Sequence, residues 1–141
     1  MAYSTTQISQ YRKNAVGGAS PIQLIIMLYD GSLRHMQASK AAMERGDLFQ
    51  QNKSAQAAQR IIAELMSSLD MEKGGEVSKN LLSIYSFVYN RLIEANIQDK
   101  SEWIDECMKL MSDLGESWRL IQRQQQDGMA VIETAAFAEA A

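Results

Sequence analysis

The chain has one histidine, His35, and one cysteine, Cys107, so the residue types that most often carry catalysis or hold transition metals occur singly. A carboxylate-bridged di-iron bundle needs two Glu-x-x-His motifs, and the sequence contains none. A phosphotransfer histidine is exposed, with a lysine and a glycine nearby to make room for the phosphoryl group. The stretch "RHMQASKAA" lacks that arrangement. At helical spacing His35 projects beside Leu24, Leu28 and Ala42, which is the setting of a packing histidine. Cys107 falls on the apolar arc of its helix and reads as a buried thiol. Gly74-Gly75 is followed by Glu76 and not by the lysine of a phosphate loop, so it marks a turn and a helix start. These residues predict no enzyme, no cofactor and no metal.

Composition narrows the class further. The 141 residues suit one domain with its own core. A formal net charge of −3, with Lys and Arg scattered, argues against nucleic acid and anionic membrane as partners. The opening "MAYSTTQISQYRKN" lacks the apolar segment of a secretory signal. The apolar run Ile22 to Tyr29 is far shorter than the roughly 20 residues that cross a bilayer, so direct membrane insertion is not expected. A lone cysteine fits a reducing compartment, and the cytoplasm is the expected location. Nine methionines hint at an adaptable binding surface.

The elements that must position any site are helices. Residues 1–18 are polar, end in Gly17-Gly18 and read as a mobile N-terminal arm with apolar points at Ile8, Tyr11 and Val16. Ser20, Pro21 and Gln23 form a helix start: N-cap, proline at the first position, and the third residue of a capping box. That helix should run to about Glu44, with Gly46 as its stop. Asp47 caps a second helix reaching about Asp70. Gly74-Gly75 precedes a third, about Glu76 to Asn96, and a fourth follows from about Glu102 to Gln125 with Asp99 or Ser101 as cap. The fold class is therefore all-α, an antiparallel up-down four-helix bundle over 19–125, with a short C-terminal tail at 126–141 that is flexible or loosely docked.

Helical wheels give the second helix one apolar arc, built on Ile61, Leu65, Ala58, Leu69, Ile62, Ala55 and Met66. The first helix has two. Ile22, Ile25, Ile26, Tyr29, Leu33, Met36 and Met43 form one face, and Leu24, Met27, Leu28, Gly31, Ala38 and Ala42 form the other. The third helix is also broad: Val77, Leu81, Ile84, Val88 and Leu92 are flanked by Leu82, Tyr85, Tyr89 and Ile93, and Phe87 projects from the opposite side. A bundle helix needs about three apolar positions per heptad. The surplus is either core of an unevenly packed bundle, a face covered by the chain's own arm and tail, or a groove for a partner's amphipathic helix.

Several motifs in order resemble the flagellin export chaperone (FliS) family. They are Tyr11, Asn14, Val16, Ser20-Pro21, Leu24 and Met27-Leu28-Tyr29-Asp30-Gly31 in the first segment. Leu69-Asp70, Gly74-Gly75-Glu76, Leu81, Tyr85, Leu92 and Ala95-Asn96 follow, and then "LMSDLGESW" from Leu110 to Trp118. Gly115 departs from the arginine that family members often carry there. The resemblance covers roughly residues 8 to 120. It implies a cytoplasmic, non-enzymatic chaperone that binds the disordered C-terminal segment of flagellin, prevents premature polymerisation and delivers the subunit to the cytoplasmic domain of the export gate. It places gate contact on an Ile-x-x-Tyr element, here Ile8 and Tyr11. The flagellin-contacting set expected from the surplus apolar positions is Val16, Ile25, Tyr29, Leu82, Tyr85, Tyr89 and Ile93. The competing reading is a regulatory or structural module that self-associates through the same surface as a homodimer, without a secretion cargo.

Overall fold

The computed structural model describes residues 20–127 and 139–140. Helix α1 (Pro21–Glu44) begins as its sequence dictates: Ser20 Oγ accepts from the Gln23 N–H at 3.2 Å, and Gln23 Oε1 accepts from the Ser20 N–H at 2.8 Å. Gly46, at φ 76°, turns the chain out of α1. Asp47 caps α2 (Leu48–Ser67) by accepting from the Gln50 N–H at 3.1 Å. This helix stops before the expected Asp70, because that residue has another task. Its carboxylate accepts from the Glu72 and Lys73 N–H groups and caps α3 (Met71–Gln98).

The third helix therefore starts five residues ahead of the expected Glu76. The expected glycine break survives as a kink inside it, at Gly75 with φ 51° and ψ −126°. The cap expected for α4 (Ser101–Gln126) is also corrected. Asp99 ends α3 in the left-handed region at φ 53°, and Lys100 stands at the N-cap without a side-chain bond.

Helices α1 and α3 each pack along both α2 and α4, which gives a square, up-down bundle among the described residues. This arrangement accounts for both apolar faces of α1. Ile22, Ile25, Ile26, Tyr29 and Met36 fill the centre, and Leu28, Gly31 and Ala42 of the second face are buried as well. Gly31 lets α2 approach closely: a Cβ there would lie 3.1 Å from Ile61 Cδ1. Only Met27 of that face is well exposed. The surplus on α1 is thus mostly packing against a neighbour.

Candidate docking surface

Polar contacts at one end fix how α2 and α3 run past each other, and one at the other end ties α3 to its own N-cap. At one end Gln51 Nε2 donates to Asn96 Oδ1 at 3.2 Å and Asn96 Nδ2 donates to Asn52 Oδ1 at 3.0 Å. At the other, Ser78 Oγ donates to the Asp70 carbonyl at 2.7 Å. For antiparallel helices this register puts Met66 level with Leu82, Gln59 with Tyr89 and Ala55 with Ile93. Along the α3 side of this seam runs a row at helical spacing: Leu82, Tyr89 and Ile93, half-buried, and then Ile97, which is 74% exposed. Leu82 and Ile93 stand outside the packed core, whereas Tyr89 leans against it. Leu48 and Phe49, 69% and 77% exposed, begin α2 at the same end as Ile97. The row is an apolar track beside α2, half-buried at Leu82 and open to solvent at Ile97.

The structure divides the expected contact set. Leu82, Tyr89 and Ile93 lie together on this track, the candidate α2–α3 groove. Ile25, Tyr29 and Tyr85 lie in the interior. The Tyr29 and Tyr85 hydroxyls are 2.5 Å apart, and the Tyr29 ring meets Tyr85 and Trp118 edge-on at centroid distances of 6.2 and 6.4 Å. Burial pushes the Tyr29 phenol up to about 12, with Tyr85 and Trp118 drawing it back slightly. Burial also raises Tyr85, and Tyr29 adds to the shift. Both phenols are therefore neutral at pH 7, and the pair is a packing device that ties α1 to α3 across the bundle. Ile8, Tyr11 and Val16 lie outside the described residues.

Ile97, Leu48 and Phe49 were missed by the sequence reading. Ile97 follows Ile93 by four residues, so the spacing could have found it, but it lies just past Asn96, where the third helix was expected to end. Leu48 and Phe49 follow the Asp47 cap, where a helix start hides which side faces a neighbour.

His35 and Cys107 are both shifted toward their neutral forms. Burial, then Arg34, lowers the His35 imidazole below its ordinary value, so it is neutral at pH 7. Burial pushes the Cys107 thiol up to about 12, far from a reactive thiolate. Among the described residues no cluster of His, Cys, Asp or Glu could hold a metal ion, and no helix is long and apolar enough to cross a membrane. On the α3–α4 side, Arg91 stacks 4.5 Å from the Trp103 ring centroid and 5.6 Å from Phe87, and its Nε donates to Glu106 at 3.0 Å. That cluster satisfies its own charge.

A tightly packed helical bundle with an apolar seam on one side is the class of architecture that suits holding another chain. Comparison with known proteins names the group within that class. The family model described as "Flagellar protein FliS" matches residues 4–125. The flagellar secretion chaperone FliS of Salmonella typhimurium is 35% identical over 124 residues, which are 84% of this chain and 92% of the relative. Those of Campylobacter jejuni and Bacillus subtilis are 34% and 31% identical, over 82% and 83% of this chain and 90% and 87% of the relatives. The chain belongs to the FliS family of flagellar secretion chaperones.

Proposed function

We propose that the protein is a cytoplasmic chaperone that holds the C-terminal segment of flagellin as an amphipathic helix along the α2–α3 groove. It works by binding alone. A disordered cargo must offset the entropy of ordering with buried apolar area, so its receptor needs a long apolar track more than a few strong polar contacts. The row Leu82, Tyr89, Ile93 and Ile97 supports this reading, because its helical spacing is what an amphipathic partner would meet. Tyr29, Tyr85 and Ile25 serve the same site from inside by holding α3 against the bundle, and Val16 is proposed as a neighbouring contact. Ile8 and Tyr11 are proposed to engage the cytoplasmic domain of the export gate.

Calorimetric titration with a flagellin C-terminal peptide tests the groove. The double variant Leu82→Asp/Ile93→Asp should lose on the order of a hundredfold in affinity, the weight of two hot-spot contacts, with an unchanged melting temperature. Unchanged affinity would remove the groove from the recognition mode. The pair Ile8→Ala/Tyr11→Ala should hold flagellin normally and lose the gate in pull-down. Loss of flagellin instead would assign those residues to the cargo site.

A further inference from the structure

The start of α3, where the chain enters it from α2, already has an occupant. The Ala140 carbonyl accepts from the Asp70 N–H at 3.0 Å, and Ala140 is fully buried among core residues. The seat is shaped for it. Gly74 has no side chain, and a Cβ there would fall 2.7 Å from the Ala140 Cα. The Ser78 hydroxyl fills the space over Gly74, 1.8 Å from that Cβ position, while donating to the Asp70 carbonyl at 2.7 Å. The backbone at Ala140 thus requires glycine at 74, and the Ala140 side chain is itself fully enclosed. The eleven residues between Asp127 and Glu139 are enough chain to cross from the end of α4 to this corner.

The seat is continuous with the groove. Ser78 precedes Leu82 by one helical turn, so the seat and the row Leu82, Tyr89, Ile93 follow one ridge of α3. We infer that the C-terminal tail is a built-in competitor: Ala140 latches onto Asp70 and Gly74 and blocks the lower end of the track, and an arriving cargo helix displaces it. The latch consists of one hydrogen bond and one small apolar contact, weak enough to be exchanged for a longer cargo contact. The competition part of this inference rests on the proposed flagellin reading; the latch itself does not.

Two measurements separate them. Amide hydrogen exchange is followed at Asp70 in the full chain, in a chain ending at Asp127, and in a full-length Ala140→Trp variant whose indole is too large for the seat. The Asp70 amide should exchange on the order of tenfold faster in both altered proteins, as expected for one lost hydrogen bond, while amides in the middle of α2 keep their protection. Equal exchange in all three would overturn the latch. The flagellin C-terminal peptide is then titrated into the full and shortened chains, and the shortened one should bind several-fold tighter. Equal affinity would overturn the competition. If neither chain binds the peptide, the flagellin reading fails, and the Asp70 exchange still decides the latch.

Discussion

Tyr29 stands where three helices meet, its hydroxyl against Tyr85 of α3 and its ring edge-on to Trp118 of α4. Phe in its place would keep the ring contacts and leave the buried Tyr85 hydroxyl without this partner. Tyr29→Phe should therefore cost about 1 to 3 kcal/mol in urea unfolding. Tyr29→Phe/Tyr85→Phe should cost less than the sum of the two single changes, since neither hydroxyl is then stranded. A fully additive pair would show that the hydroxyls act independently. Glu64 is a different case. It is 1% exposed, both its carboxylate oxygens lack a hydrogen bond among the described residues, and burial raises its pKa. The folded state therefore holds the Glu64 proton more tightly than the unfolded chain does. Stability contributed at this site is lost as the pH rises above the unfolded carboxylate value of about 4.3 and is regained below it. Glu64→Gln should raise the melting temperature at pH 7, with the gain shrinking toward pH 4. A gain independent of pH would mean that the charge is not what costs stability.

At the scale of the element, two glycines behave in opposite ways. Gly75 kinks α3 at φ 51°, with open space around a would-be Cβ. Gly75→Ala should destabilise by about 1 to 2 kcal/mol through backbone conformation alone. Gly115 lies within α4, where a Cβ would meet only Arg119 and Tyr29 at 3.5 and 3.7 Å, so Gly115→Ala should stabilise by about 1 kcal/mol. Chemical unfolding of the two variants side by side checks both signs. The helix starts at Ser20 and Asp47 were legible because a cap and its N3 partner are local in sequence. The start of α3 was legible only in part: the break at Gly75 was visible, but Asp70 reads equally well as the end of one helix or the cap of the next, and it caps a short turn ahead of that break. The wheel of α1 showed two apolar faces but not their partners, because only the square arrangement of four helices decides that both are covered.

For the molecule as a whole, the groove is mild in charge as well as open. The chain carries a formal net charge of −3, and the row Leu82, Tyr89, Ile93, Ile97 contains no ionisable group but the Tyr89 phenol. The charged clusters that are well formed close on themselves, Arg119 with Asp30 at 2.5 Å and Arg91 with Glu106 at 3.0 Å, and both lie on seams with α4 and away from the α2–α3 groove. Of the set expected from the sequence, Leu82, Tyr89 and Ile93 share one ridge of α3. The sequence could not separate that ridge from Tyr85, which lies only one turn away and points inward. Cargo capture should consequently be driven by apolar burial. Titration with the flagellin C-terminal peptide over a range of temperatures should show a clearly negative heat-capacity change. Affinity should shift only slightly between low salt and about 0.5 M, where the screening length has fallen to roughly 4 Å. Binding that collapses over that salt range with little heat-capacity change would place the contact on the charged faces, and the groove would then have to serve some other partner.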